Sequence, residues 1–355
     1  MTSDAVLVTG AFGLVGGQTV QRVAACGRPV VATSRDSKAN RKAARHFPPN
    51  VTVYWADLTD AEATRQMIVA VAPAAIIHLA AVIPPDIYRN PGLARRVNVE
   101  ATGTVVRSAE ELPHRPRFVH ASSMGVYGPR NPHRCHELLR TDTPLRPFET
   151  YGRQKAEAEQ IVRSSQLHWT ILRLGGVLSH EPGAMGRGPD NAYFSSLLPT
   201  DSRLHTIDAR DAAWALAAAT TADVVGETLL VAGDESHKIL NGEVSAAMMR
   251  AAGLGGTPPP GRPGNPDSDD DWYPAADWMD TSRAQEALGF QHISWEQMIA
   301  DYRREVGWAH YPLRLAAPLA RAVMKRNDAF RGQPGRYTDP WTAIRARWGE
   351  PLVDG

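Results

Sequence analysis

Cysteine is nearly missing from this chain. Cys26 and Cys135 are the two in 355 residues, too few for a disulfide framework, and that scarcity points to a reducing compartment, the cytoplasm. An excess of either charge is missing as well. The 39 Lys and Arg stand against 38 Asp and Glu, a net charge of +1, which offers no electrostatic footprint for nucleic acid or for a strongly acidic partner. No uninterrupted apolar run reaches bilayer length, so no integral membrane segment is expected. The first strand is expected to begin within a few residues of Met1, which leaves no room for a secretory signal. Internal repeats and low-complexity tracts are absent too. What remains is 43% hydrophobic and 22% charged, the composition of a soluble globular protein with room for one large or two modest domains.

Within that ordinary composition, one stretch organises the rest: Val6-Leu-Val-Thr-Gly10-Ala-Phe12-Gly13-Leu14-Val15-Gly16. Val6 to Val8 reads as a buried strand, and the helical pattern from Leu14 to Ala25 follows at once. Gly10 permits a sharp reversal. Gly13 lets backbone N–H groups approach a pyrophosphate. Gly16 lets the helix pack on its strand with its N-terminus aimed at the anion. Placed between a strand and a helix, the triplet predicts a dinucleotide-binding turn.

The second strand, Pro29 to Thr33, ends at Ser34-Arg35, where a Rossmann unit faces the adenosine ribose. An acid there would bind both ribose hydroxyls and repel a 2′-phosphate. A hydroxyl and a guanidinium, with Lys38 and Arg41 nearby, suit that phosphate better, so NADP is favoured over NAD. The alternative is that Arg35 is only a solvated residue at a helix start. A third strand, Val51 to Tyr54, leads into Asp57-Leu58. Asp57 is placed either to accept from the adenine amino group or to cap the helix beginning near Asp60. A fourth strand, Ala75 to Leu79, enters His78-Leu79-Ala80-Ala81, whose small residues let a cofactor lie against the backbone; His78 reads as a packed residue. Alternating strands and helices predict a parallel sheet covered on both faces.

A helix from about Pro91 to Leu112 carries Asn98, polar on an apolar face and expected to bond nearby backbone. The fifth strand, Arg117 to Ala121, runs into Ser122-Ser123, where open α/β sheets bind ligands. After a long loop come Tyr151 and Lys155, four apart on one helix face. The loop's His133, Cys135, His136 and Glu137 lack the spaced second ligand pair of a metal site, and no metal is expected.

In this order the chain resembles the extended short-chain dehydrogenase/reductase family, also called the NAD-dependent epimerase/dehydratase family. The resemblance rests on Thr9-Gly10 through Gly16, Asp57-Leu58, His78 to Ala81, Asn98, Ser122 to Gly128, Tyr151 to Lys155, Leu172-Arg173-Leu174 with Val177, His205 to Ala213, and Asp280 to Phe290. It covers about residues 4 to 310. It implies an α/β fold: a Rossmann-type doubly wound parallel sheet with a smaller discontinuous substrate-binding cap. It also implies a catalytic set of Ser123, Tyr151 and Lys155. A free tyrosine titrates near ~10. The Lys155 ammonium and the positive nicotinamide ring would both favour the phenolate, so that Tyr151 exchanges a proton with the substrate oxygen while Ser123 hydrogen-bonds it. Cofactor contacts are expected from Gly10, Phe12, Gly13, Leu14, Val15, Ser34, Arg35, Asp57, Leu58, Leu79, Ala80, Ala81, Asn98, Tyr151, Lys155, Leu174 and Val177.

The second half departs from the family pattern. Gly175 to Leu204 is only 30 residues, rich in glycine and proline, with no arginine-and-asparagine frame for a nucleotide diphosphate. That favours an oxidoreductase acting on a small or apolar hydroxyl or carbonyl compound. The alternatives are a nucleotide-sugar 4-epimerase or dehydratase, and a non-catalytic dinucleotide-binding regulator. Residues 1–174 with 205–233 are expected to form the NAD(P)-binding domain, 175–204 with 234–310 the cap, and 311–355 a C-terminal extension. Trp272, Tyr273 and Trp278 suit either an apolar roof over the substrate or ordinary packing. Asp280 is expected to cap the helix ending at Gly289. Pro312 to Arg326 is amphipathic and basic, suited to the protein's own body, a homodimer interface or a membrane surface, with Pro318 weakening a continuous helix. Tyr337, Trp341 and Trp348 suggest a docked tail.

Overall fold

The computed structural model describes residues 4–184, 188–255, 261–269, 273 and 277–350. The strands are β1 (Val6–Thr9), β2 (Val30–Ser34), β3 (Val51–Trp55), β4 (Ala75–His78), β5 (Arg117–Ser123), β6 (His168–Leu174), β7 (Gly176–Leu178), β8 (Arg203–Asp208), β9 (Thr228–Val231) and β10 (Lys238–Leu240). The helices of the first half are α1 (Leu14–Ala25), α2 (Lys38–Ala44), α3 (Ala61–Val71), α4 (Asp86–Arg89), α5 (Pro91–Arg95), α6 (Ala101–Glu110) and α7 (Thr150–Arg163). Those of the second half are α8 (Pro189–Leu197), α9 (Ala209–Ala218), α10 (Asn241–Ala251), α11 (Ser282–Leu288), α12 (Trp295–Val306), α13 (His310–Arg326) and α14 (Pro340–Trp348).

Seven strands form one sheet in the order β3-β2-β1-β4-β5-β6-β9, and every pairing in it is parallel. This is the parallel sheet that the alternating pattern predicts, in the doubly wound Rossmann-type arrangement that the resemblance implies. Alternation along each strand divides the core. Val6 and Val8 enter one apolar layer with Val20, Val119 and Leu216. Leu7 enters the opposite layer with Ile76, Phe118, Met67 and Val105. Strand order reverses between β1 and β4, so the crevice beyond their carboxyl ends is where such a sheet takes a ligand. A second, three-stranded sheet joins β7 and β8 in parallel and β10 against β8 in antiparallel fashion.

Three local expectations need correcting. The single helix from Pro91 to Leu112 is interrupted by a π turn over Arg96–Glu100, between α5 and α6. Asn98 sits on that turn, and its amide holds the backbone of Val82 through both its oxygen (2.7 Å) and its nitrogen (2.9 Å). Pro318 does not stop α13, which runs unbroken across it. Pro318 and Arg314 are both exposed, so the Arg314 carbonyl that the proline cannot satisfy is open to water. Asp280 lies one residue before the cap position of α11, where its carboxylate accepts from the Ser282 N–H at 3.2 Å.

Candidate active site

The glycine turn separates two demands. Gly10 holds φ at +66°, and a Cβ on it would lie 2.8 Å from the Ala80 nitrogen; a Cβ on Gly16 would collide with the Gly10 carbonyl. These two glycines are required by the fold itself. Gly13 has an ordinary φ of −80°, and a Cβ there would come no closer than 3.3 Å to the Gly10 oxygen. It lines the main cavity at the cap position of α1, with no side chain over the first helical N–H groups. A bare helix N-terminus facing a cavity fits an anion such as a pyrophosphate. Thr9 ties the turn to the end of β4: its Oγ1 bonds His78 Nδ1 at 2.8 Å and accepts from the Leu79 and Ala80 N–H groups at 3.1 and 3.2 Å. His78 is packed, as its sequence context indicated, and burial holds its pKa down to about 3.

The cavity encloses about 480 Å³. Of the residues expected to hold cofactor, Gly10, Gly13, Leu14, Val15, Leu79, Ala81, Tyr151, Lys155, Leu174 and Val177 line it. Phe12, Ser34, Arg35, Asp57, Leu58, Ala80 and Asn98 do not. Phe12 stacks on Trp55 at 5.5 Å. Ser34 accepts from Asn40 Nδ2 at 3.2 Å. Arg35 is exposed, while Arg41 is clasped by Asp36 in a two-bond ion pair at 2.6 and 2.5 Å. Asp57 closes its own turn through the Thr59 N–H at 3.0 Å, and Asp60 is the residue that caps α3. Leu58 is buried, and Asn98 also donates to Gln154 Oε1 at 2.9 Å.

Ser123, at the end of β5, and Tyr151 and Lys155, on the first turns of α7, all reach the cavity wall. Gly152 allows this approach, since a Cβ on it would sit 2.5 Å from the Gly125 oxygen. Lys155 Nζ donates to the Ala121 carbonyl at 2.8 Å and lies 6.0 Å from the Tyr151 ring centroid. Burial pushes Tyr151 up to about 12, opposed by hydrogen bonding with the Ser123 side chain. Burial also draws Lys155 down to about 8. The lowered tyrosine that the pattern implies is therefore not a property of the protein groups alone: loss of phenolate hydration, with the Glu149 charge acting the same way, outweighs the Ser123 hydrogen bond.

Two supports under this wall were not legible in the sequence. Glu149 caps α7 with both oxygens, accepting from the Tyr151 N–H at 2.7 Å and the Gly152 N–H at 2.6 Å, and it also accepts from the Tyr88 hydroxyl at 3.2 Å. Burial raises its pKa, against the pull of those donors. Behind α7, Glu159 bonds Ser122 Oγ at 2.5 Å and Arg173 at 2.9 and 2.7 Å, and Arg173 reaches the Tyr127 hydroxyl at 2.6 Å. A carboxylate two residues before a tyrosine carries no signal that it will cap a helix, because caps favour shorter side chains.

The side of the cavity away from the glycine turn is apolar. Ile83, Phe194, Leu197, Trp341 and Ile344 line it, with Tyr88, Ser202 and Asn241 as its uncharged polar groups, and Lys155 is the only cation and Glu149 the only carboxylate among the described lining residues. Trp341 and Ile344 belong to α14. Thr338 Oγ1 donates to the Leu197 carbonyl at 2.7 Å, Tyr193 to the Ala343 carbonyl at 3.1 Å, and Asp190 bridges Arg89 and Arg347. The tail thus adds Trp341 to a wall whose other aromatics, Tyr88 and Phe194, come from α4 and α8. Tyr273 is fully buried and donates to Asp201 at 3.1 Å, and Trp278 packs against Arg203; neither lines the cavity. Trp272 lies outside the described residues.

Residues 6–192 match the NAD dependent epimerase/dehydratase family. The chain is 34% identical over 137 residues to D-erythronate dehydrogenase of Cupriavidus necator, a match covering 38% of this chain and 40% of that protein. It is 29% identical over 203 residues to UDP-glucose 4-epimerase 4 of Oryza sativa subsp. japonica, covering 53% of each. These matches span about half or less of the curated relatives' length. The fold is similar to that of the UDP-glucose 4-epimerase of Thermus thermophilus, solved in complex with NAD, with a TM-score of 0.69 at 22% identity over 86% of this chain and 99% of that one.

Proposed function

The chain belongs to the NAD dependent epimerase/dehydratase family, and from that membership we propose that it is an NADP-preferring dehydrogenase or reductase of a small or apolar hydroxyl or carbonyl compound, acting in the cytoplasm. The observation that carries this reading is the apolar half of the cavity. A nucleotide diphosphate held there would meet Ile83, Phe194, Trp341 and Ile344, with no arginine among the described lining residues to answer its charge. A compound with one oxygen function on an apolar frame suits that wall.

In this reading, residues 1–174 with 205–233 hold the cofactor, and 175–204 with 234–310 form the cap. Leu14 and Val15 present their backbone N–H groups to the pyrophosphate, and Leu174 and Val177 flank the nicotinamide end. Arg35 and Ser34 face the 2′-phosphate, and Asp57 the adenine. Lys155 holds the nicotinamide ribose hydroxyls. Tyr151 takes the proton from a substrate hydroxyl, or returns it in reduction, and Ser123 hydrogen-bonds the same oxygen as its charge changes. When bound, the nicotinamide supplies or accepts the hydride. Elimination of water from a sugar would need a further acid and base, and Glu149 already spends both oxygens on α7 and Tyr88.

The test is a titration of NADPH and NADH against the protein and against Arg35→Ala, followed by turnover of apolar alcohols and ketones beside UDP-sugars. NADPH should bind more tightly, by roughly tenfold, and Arg35→Ala should remove that difference. Equal or NADH-favoured binding overturns the NADP assignment, and turnover of UDP-sugars alone overturns the substrate class.

A further inference from the structure

Helix α13 is apolar on two opposite faces. Ala317 is buried, and Leu313, Ala320 and Met324 are partly buried, so one face rests on the protein. At about 100° per residue, Tyr311, Leu315, Leu319 and Ala322 fall on the other side. Trp308, on the turn just before α13, continues that row and Val323 borders it. This second face is open: Trp308 is 88%, Leu315 85% and Leu319 70% exposed. They are among the most exposed large apolar side chains described in the molecule, and they are contiguous, unlike the scattered apolar residues of an ordinary surface.

The charge around this row has one sign. Arg314, Arg321 and Lys325 lie along one flank of α13 and Arg326 stands at its end, while residues 307–327 contain no Asp or Glu. Arg314, Lys325 and Arg326 are exposed, and Arg321 is partly exposed with its Nε buried. An apolar row with a basic border and Trp308 and Tyr311 at one end has the chemistry of a helix lying in a bilayer interface. Its aromatic rings suit the headgroup level, and its basic stems can reach the phosphates while their methylenes stay in apolar surroundings. A second copy is the poorer occupant, because pairing along this row would bring two all-basic segments together with no acid to answer them. None of the described helices is long and apolar enough to cross a membrane, so the contact would be with the surface.

We propose that α13, with Trp308, docks in the plane of an anionic lipid surface. Trp308, Tyr311, Leu315 and Leu319 enter the boundary between headgroups and acyl chains, and Arg314, Arg321 and Lys325 meet the lipid phosphates. The proposal goes beyond the dehydrogenase reading and does not depend on it.

The test is co-sedimentation of the full chain with vesicles of phosphatidylcholine alone and of phosphatidylcholine mixed with phosphatidylglycerol. Binding should favour the anionic vesicles and weaken as salt rises. Arg321→Gln and Lys325→Gln should each weaken it roughly fivefold. The double variant Leu315→Glu, Leu319→Glu should weaken it by roughly a hundredfold. Both leucines are exposed, so thermal unfolding of the double variant should match that of the parent, which separates lost docking from lost folding. Absence of binding to anionic vesicles overturns the proposal, as does equal binding to both compositions. A dimer in solution that the leucine variant dissociates, without vesicle binding, would assign the face to a second copy instead.

Discussion

The two sides of the cavity are assembled differently. On the side of the glycine turn, strand ends arrive in chain order at the edge of one parallel sheet, and each contributing residue sits within a few positions of its strand: Gly10 and Gly13 after β1, Leu79 after β4, Ser123 at the end of β5. On the opposite, apolar side, Ile83, Phe194 and Trp341 come from three distant parts of the chain and meet only because α4, α8 and α14 pack together. The first side is dictated by backbone geometry, where a glycine is demanded by a φ of +66° or a carbonyl in the way. The second is dictated by packing, where many apolar residues would serve. A site of this kind can therefore keep its cofactor while its substrate wall is replaced.

Tyr151 stands where the two sides meet, and its replacement gives the largest expected effect. Tyr151→Phe should lower turnover by roughly a hundredfold to ten-thousandfold while changing dinucleotide affinity by no more than the few-fold that one lost contact allows. Steady-state rates measured beside a cofactor titration decide it, and retained turnover would detach Tyr151 from the chemistry. Lys155 probes the same junction through stability. Its folded-state pKa is drawn down to about 8, below the usual lysine value of ~10.4. The folded protein then holds fewer protons than the unfolded chain between these values, so the cofactor-free protein should gain stability as pH rises through that window, and lose it as pH falls through about 8. The shift corresponds to roughly 3 kcal/mol. Tyr151, raised to about 12, acts in the opposite direction only above pH ~10. Denaturant unfolding across this range should show the rise, and Lys155→Met should flatten it.

The smallest of these effects bears most directly on the contrast between the two sides. Trp341→Ala removes part of the apolar wall without touching the glycine turn. It should raise KM for an apolar substrate roughly tenfold and leave NADPH affinity as it was. A variant that loses cofactor affinity as well would show that α14 supports both sides, and the two halves of the cavity would no longer count as independent.

Much of the glycine-turn side is legible in the sequence. The strand-to-helix turn, the parallel alternation, and the positions of Ser123, Tyr151 and Lys155 on their elements follow from short-range steric and periodic rules. Asn98 is readable as a residue that holds backbone, but not as the centre of a π turn, because its partner Val82 lies 16 residues away and leaves no local mark on the helical pattern. Glu149 is not readable at all. Its capping role depends on how the loop after Tyr127 returns to α7, and on Tyr88 arriving from α4. Tyr273 and Trp278 suit either a roof or ordinary packing in the sequence; they pack, and the tryptophan lining the cavity is Trp341.

By itself, the sequence determined the glycine turn and the parallel sheet behind it, because hydrophobic period and the missing Cβ of glycine act over a few residues. The tertiary structure alone decided which tail residues close the cavity, which carboxylate steadies α7, and that one face of α13 remains uncovered. Those outcomes depend on which surfaces reach one another in space, and residues far apart in the chain carry no local mark of that meeting.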